Sequence, residues 1–333
     1  MKVDAPLTAD LARVANQASK LEGFGYDGLR LAELNHDPFL PLTIAAEHTQ
    51  HAELVTSVAV AFARNPMSMA VLAHDLNAFS HGRLVLGIGS QVRPHIERRF
   101  SMPWHKAAAQ MREFIESMNA IFDCWYEGRR LEYVGEYYQH TLMPATFTPD
   151  NTDAPRPRIA LSATGPLMTK VAAEAADGMI MHPFSSERYM REVTIPAIET
   201  GLTNRGRSLE DFQLDYAPML ATARTDEALE RAIDVLRDRI AFYGCTVAYK
   251  PVLDIHGWGD MQEELIALNR AHDKPGMAAL ISDEMIETIG IVGSPEEVVD
   301  KMKARFGGLI HRTGFGADLE QDDLTEMLRR LRA

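Results

Sequence analysis

The residues that could hold an anion lie together in one short stretch of the chain. Ser162, Ala163, Thr164 and Gly165 end an apolar segment, and a helical pattern begins at Pro166. Small residues let the backbone approach a ligand, the first N–H groups of a helix point outward, and hydroxyl groups add donors. The pattern favours a phosphate site, although any tight turn between a strand and a helix also selects small residues.

A second candidate for cofactor binding is the segment Gly87-Ile88-Gly89-Ser90, which ends another apolar stretch. A basic run follows it, with Arg93, Arg98 and Arg99, and this run also contains His95. A strand that opens into a glycine turn and a positive loop suits an anionic cofactor. The third glycine of the dinucleotide-binding fingerprint is missing, so the segment gives little support to a Rossmann-type site.

Histidines supply the candidate acid–base group. His36 follows an apolar segment that ends at Glu33, and Asp37 comes next. Imidazole titrates near neutral pH, which suits proton transfer; the competing interpretation is an exposed loop histidine. His48 and His51 have metal-ligand spacing but lie within a helical pattern rather than at a strand end, so we predict no metal site.

Eight short apolar segments, each followed by a helical pattern, must position these residues. They cover residues 2–5, 28–33, 54–61, 83–87, 158–161, 179–182, 213–220 and 309–312. Most are apolar on both faces, as strands of a parallel sheet are when helices cover them. The alternation predicts an α/β fold of the TIM-barrel type, a (β/α)8 barrel with its active site at the carboxyl ends of the strands.

One part of the chain does not fit a simple barrel. Residues 244–290 are too many for a single connection, and we interpret them as an inserted lid region over the barrel mouth. Trp258 within it and Trp104 before it are candidate lid walls or core residues. No linker divides the sequence, so residues 1–333 are predicted to form one domain.

Composition limits the partners. The 333 residues carry a formal net charge of −13, which argues against a nucleic-acid or anionic-membrane surface. No apolar run approaches the roughly 20 residues that span a bilayer. Two cysteines, Cys124 and Cys245, are too few for a disulfide framework, and the start lacks a signal-peptide pattern. We therefore expect a cytoplasmic protein with a small-molecule substrate.

Short motifs occur in order along nearly the whole chain. They are Gly-Tyr-Asp-Gly-Leu at 25–29, Thr-Ser-Val at 56–58, Arg-Asn-Pro at 64–66, the stretch 76–89, Gly-Glu-Tyr-Tyr at 135–138, Ala-Thr-Gly-Pro at 163–166, Ala-Asp-Gly at 176–178 and Val-Gly-Ser-Pro-Glu-Glu at 292–297. Together they resemble the bacterial luciferase-like monooxygenase superfamily, and within it the oxidoreductases that depend on the deazaflavin coenzyme F420. The resemblance implies a barrel with an inserted lid, assembled as a homodimer.

The resemblance also implies a cofactor site. A cis peptide bond between Ser57 and Val58 would support the ring from behind, Glu33 would contact the cofactor, and the loop 162–165 would hold a phosphate. The implied cofactor-binding residues are Glu33, Ser57, Val58, Ala59, Gly89, Ser90, Ser162, Ala163, Thr164, Gly165, Gly178 and Met179.

Two positions depart from the family pattern. Leu34 stands where many F420-dependent members have a catalytic histidine, and Val92 stands where some alcohol-oxidising members have glutamate. We therefore take His36 as the candidate acid–base residue, with His95 as the alternative.

The expected function is hydride transfer between F420 and a small organic substrate such as an alcohol, a ketone or an enone. Two alternatives stay open. One is an FMN-dependent monooxygenase that uses reduced flavin and O2, and the other is a barrel without catalysis, retained as a flavin-binding or structural partner.

Overall fold

A computed structural model describes residues 1–315 and 319–332 and shows a closed parallel barrel. Each strand pairs with its neighbours in the chain, and the last pairs with the first. The strands are β1 Lys2–Pro6, β2 Gly28–Leu31, β3 Glu53–Thr56, β4 Leu84–Gly89, β5 Arg158–Ala163, β6 Gly178–Met181, β7 Gln213–Asp215 and β8 Arg312–Gly314. The TIM-barrel prediction is confirmed.

Helices connect the strands and cover the barrel. Their bounds are Val14–Gly23, Phe39–Glu47, Pro66–Phe79, Arg93–Arg98, Ala107–Glu127, Pro166–Ala175, Glu187–Tyr189, Ile195–Thr203, Asp226–Gly244, Lys250–Asp254, Gln262–Arg270, Lys274–Ala279, Asp283–Ile289, Pro295–Phe306 and Gln321–Arg332. Ser294 and Glu297 form a capping box at the start of one of them. Among the described residues, no helix is long and apolar enough to cross a membrane.

Two predicted strands lie differently in the structure. The segment 213–220 splits, because β7 ends at Asp215 and a separate strand, Met219–Thr222, pairs with Gly290–Gly293 outside the barrel. The predicted strand 309–312 is shifted, since β8 begins at Arg312. The apolar side chain of Ile310 packs in the core beside the preceding helix, while a buried ion pair brings Arg312 into the strand.

A helical layer, residues 219–293, forms a second packing unit. It contains the two paired outer strands and five helices, and the stretch 244–290 falls within it. Most of its buried side chains, including Leu236, Leu253 and Ile286, form a second hydrophobic cluster, which Phe184 and Tyr189 join, while Ile291 belongs to the main core of the barrel. The layer therefore carries a core of its own.

Two groups of buried side chains come from the barrel strands. Val55, Val85, Ala160 and Ile180 form a small apolar cluster. The charged side chains form a network that we call the buried charge network: Asp4, Arg30, Glu53, Asp215 and Arg312.

Arg312 is the centre of this network, with 1% of its side chain exposed. Its Nε lies 2.6 Å from Asp4 Oδ2 and its Nη1 lies 2.5 Å from Glu53 Oε2. Burial raises the pKa of Glu53, but the positive charge of Arg312 and hydrogen bonds from basic neighbours outweigh it and lower that pKa to about 2. Glu53 therefore stays ionised at neutral pH.

Candidate active site at the carboxyl ends of the strands

The site begins with an interruption in the third strand. The peptide bond between Ser57 and Val58 is cis, as the resemblance implies. Ser57 N–H donates to the carbonyl of Leu31, 2.8 Å away. Beyond the bond the chain resumes a short strand, Ala59–Val60, which pairs with the end of β4. Ser57, Val58 and Ala59 therefore lie together at the carboxyl ends of β2, β3 and β4.

Glu33 holds this interrupted segment from the neighbouring strand. Its N–H donates to the Val58 carbonyl at 3.2 Å. Its Oε2 accepts hydrogen bonds from Val60 N–H at 2.8 Å and from Arg64 Nη1 at 2.6 Å. Arg64 also reaches Asp37 through Nη2 at 2.9 Å. Because Oε2 makes both carboxylate bonds, Glu33 fixes the backbone of the site, and its Oε1 has no hydrogen-bond partner among the described residues.

The end of β4 packs tightly against the segment that follows β3. Gly89 is buried, and a Cβ at this position would lie 2.9 Å from Val58 Cγ2 and 3.6 Å from Ser162 Cβ. The next residue, Ser90, is half-buried and its hydroxyl donates to the Gln91 carbonyl. A side chain at position 89 would therefore displace the Val58 side chain, because three strand ends meet there.

The loop 162–165 ends β5 and leads directly into the helix Pro166–Ala175. Gly165 is the N-cap residue, no side chain among the described residues caps the helix, and a Cβ on Gly165 would have no atom within 4 Å. Pro166 has no N–H, and within residues 1–315 and 319–332 the N–H groups of Leu167 and Met168 have no hydrogen-bond acceptor. The arrangement is open and can bind an anion.

Gly178 and Met179 are the first two residues of β6, and Met179 lines a small cavity that Thr164 and His182 also line. Gly178 opens β6 at its amino end, where a Cβ would lie 2.6 Å from the Gln213 carbonyl oxygen. Met179 is 1% exposed and packs in the main core. His182 lies one position past the end of this strand.

His182 lies in an aromatic pocket that the sequence alone did not indicate. Its ring stacks on Tyr249 with centroids 4.3 Å apart and meets Tyr243 edge-on at 4.7 Å. Its Nδ1 accepts a hydrogen bond from Phe184 N–H at 3.1 Å. Burial lowers the pKa of His182 to about 4, so the ring is neutral at physiological pH. In the sequence, the only indication that His182 belongs to the site is its position at the end of the predicted strand 179–182.

The two predicted acid–base histidines are both exposed. His36 lies in the loop after β2, and His95 lies in the short helix Arg93–Arg98 after β4. Arg99 Nη2 donates to the Leu34 carbonyl at 2.5 Å and joins the two loops. Neither imidazole makes a hydrogen bond within the described part of the chain, so both are free to meet a ligand at the mouth.

The two candidate lid tryptophans have different surroundings. Trp104 meets Phe62 edge-on, with centroids 5.6 Å apart, at the margin of the barrel core. Trp258 stacks on His256 at 4.6 Å and packs against the core of the helical layer. Trp258 is therefore the one that belongs to the helical layer.

The sequence matches the luciferase-like monooxygenase family over residues 2–312. The chain belongs to this family. The resemblance of its motifs is thereby confirmed, and so is the predicted enzyme class, an oxidoreductase.

Curated relatives support the same placement of this luciferase-like protein. An uncharacterized protein of Mycobacterium tuberculosis is 45% identical over 312 residues, which cover 94% of this chain and 92% of the relative. The 5,10-methylenetetrahydromethanopterin reductase of Archaeoglobus fulgidus is 30% identical over 288 residues, 84% of this chain and 81% of the relative.

Solved structures show the same fold. The coenzyme F420 dependent tetrahydromethanopterin reductase from Methanopyrus kandleri has a TM-score of 0.78 at 21% identity, covering 98% of this chain and 96% of that one. The oxygenating constituent of 3,6-diketocamphane monooxygenase from Pseudomonas putida, in complex with FMN, has a TM-score of 0.65 at 17% identity, with 99% and 96% covered.

Proposed function

We propose that this luciferase-like protein transfers a hydride between F420 and a small organic substrate, an alcohol, a ketone or an enone. The observation that carries the proposal is the open, uncapped helix start behind the loop 162–165, which suits the phosphate of such a cofactor. Two relatives support the choice of F420: the Methanopyrus kandleri structure is that of a coenzyme F420 dependent tetrahydromethanopterin reductase, and a Mycobacterium tuberculosis relative, 27% identical over 311 residues, is named a putative coenzyme F420-dependent oxidoreductase.

The residues at the mouth are suited to this cofactor. Gly89 and the segment after the cis bond leave a surface of backbone and small side chains, on which a flat ring can lie. Ser162, Ala163, Thr164 and Gly165 supply hydroxyl and backbone donors. When bound, F420 supplies C5, the carbon that carries the hydride.

Roles for this chain's own residues follow. Glu33 and Arg64 hold the segment that supports the ring, and Ser57, Val58 and Ala59 form its surface. The loop 162–165 holds the phosphate, and Gly89 and Ser90 close the site beside it. The helical layer excludes water from the mouth, so that donor and acceptor carbons can approach to about 3–3.5 Å. The proposal also includes a cytoplasmic homodimer.

Cofactor choice is tested by measuring the equilibrium binding of oxidised F420 and of FMN to the purified protein, with fluorescence quenching as the readout. We expect micromolar binding of F420 and at least tenfold weaker binding of FMN. Preference for FMN would instead support the alternative, a monooxygenase that uses reduced flavin and O2, which the FMN-bound structural relative makes worth testing. Binding of neither cofactor would overturn the proposal.

The acid–base role belongs to His36 in this proposal, with His95 as the second candidate, because both are free at the mouth. We expect His36→Asn to lower kcat by about 100-fold, the smaller end of what a positioned acid or base contributes. The substrate is first found by a screen of alcohols, ketones and enones with F420.

Binding of F420 should stay within twofold of the unmodified protein in this variant, since no role in holding the cofactor is assigned to His36. His95→Asn is the matched comparison, and the larger loss of kcat identifies the acid–base residue. Unchanged kcat in both variants would show that neither His36 nor His95 is the acid–base residue.

A further inference from the structure

His182 and the loop 162–165 are neighbours across two paired strands. The register of β5 and β6 places Ala163 opposite Met181, so Thr164 and His182 are the next residues beyond that pair. Thr164 and His182 also line one small cavity. The imidazole therefore stands beside the loop that we have assigned to phosphate.

The orientation of the His182 ring is fixed on one edge and on one face. Phe184 N–H donates to Nδ1, so in the neutral ring the proton is on Nε2. The face is covered by Tyr249, stacked at an interplanar angle of 24°. Nε2 has no hydrogen-bond partner among the described residues, and it is not one of the atoms sealed from the surrounding space. It is a donor without an acceptor.

Other donors at this corner are also without protein acceptors. The helix that begins at Pro166 has free N–H groups at Leu167 and Met168, and no side chain in the described part of the chain caps it. A phosphate oxygen would satisfy both the helix start and the imidazole, since a phosphate offers several acceptors at once.

We propose that His182 donates a hydrogen bond from Nε2 to the phosphate group of the bound cofactor. The inference rests on a phosphate-bearing cofactor, and it holds for F420 and for FMN alike. Because no charged group shifts the pKa of His182 in the free protein, a nearby phosphate anion would be the first charge to act on it and would raise that pKa.

The first test needs no variant. The His182 pKa is measured by NMR on protein labelled with 13C at histidine, with and without the cofactor that the binding experiment selects. We expect the value to rise by at least one unit from about 4 when the cofactor binds. An unchanged pKa of His182 would overturn the proposal. Preference of the protein for FMN over F420 would not overturn it, because FMN also carries a phosphate group.

The second test separates the phosphate from the ring of the cofactor. His182→Phe keeps an aromatic ring against Tyr249 but removes the donor, and His182→Gln keeps a donor. We expect His182→Phe to weaken binding of the complete cofactor about tenfold and binding of its phosphate-free form less than twofold. His182→Gln should bind both within about threefold of the unmodified protein.

Equal weakening of the complete and phosphate-free cofactors by His182→Phe would show that His182 supports the ring or the fold, and would overturn the proposal. Thermal unfolding of each variant checks folding. If His182→Phe does not fold, the NMR measurement on the unmodified protein still decides.

Discussion

Replacing Arg312 by methionine is expected to lower the free energy of unfolding by about 3–5 kcal/mol, the usual cost of removing one partner from a buried ion pair. Methionine fills a similar volume, but it leaves Asp4 and Glu53 without their shared cation. Asp4 is 0% exposed, so its charge cannot be transferred to water. Urea denaturation followed by circular dichroism at neutral pH measures the loss.

The matched control is Arg231→Met, the same substitution at an exposed helix pair. Arg231 and Glu227 are 66% and 84% exposed, and we expect a loss below about 1 kcal/mol. If Arg312→Met costs no more than this control, the buried charge network does not stabilise the barrel.

The pH dependence adds a second measurement. The lowered pKa of Glu53 contributes stability that is present above the ordinary value of 4.5 and is lost as the pH falls from 4.5 to about 2. Arg312→Met lacks the main cation responsible. The difference in the free energy of unfolding between the unmodified protein and Arg312→Met should therefore become smaller as the pH falls from 4.5 to about 2. A difference that stays constant would contradict the conclusion that Arg312 lowers the pKa of Glu53.

The second large effect is expected at Gly87, where alanine should lower the free energy of unfolding by more than about 3 kcal/mol. A Cβ at this position would overlap the carbonyl oxygen of Thr56, which is backbone of β3, and would lie 2.6 Å from Ile180 Cδ1. The Thr56 hydroxyl donates to the Gly87 carbonyl at 2.7 Å within the core, so the two strands cannot move apart without losing that bond.

Gly23→Ala provides the control for this substitution. Gly23 ends the helix Val14–Gly23, and a Cβ there would meet no atom within 4 Å. We expect unchanged or slightly higher stability, because alanine favours helix more than glycine does. Soluble yield and urea denaturation of the two variants measure the difference, and similar stability of both would refute the steric argument.

The barrel could be predicted from sequence because its evidence is local. Apolar runs such as 158–161 and helix signals such as Ser294 with Glu297 lie within a few residues of what they specify. The register of β8 could not be predicted in this way. Arg312 is buried only because Asp4 and Glu53, 308 and 259 residues away in the chain, meet it inside the barrel.

In the candidate site, too, the features with local sequence signals could be predicted and the contacts between distant residues could not. The loop 162–165 could be recognised from its small residues and the proline after them. The hydrogen bond from Arg64 to Glu33 and the pocket around His182 depend on side chains that are distant in sequence. Tyr243 and Tyr249 come from the helical layer, and no pattern around position 182 indicates them.

The separate core of the helical layer has a consequence for how this protein could diversify. Side chains such as Leu253 and Leu265 pack with one another and not with the main core of the barrel. Substitutions among these side chains can therefore reshape the region around His182 without directly repacking the main core of the barrel.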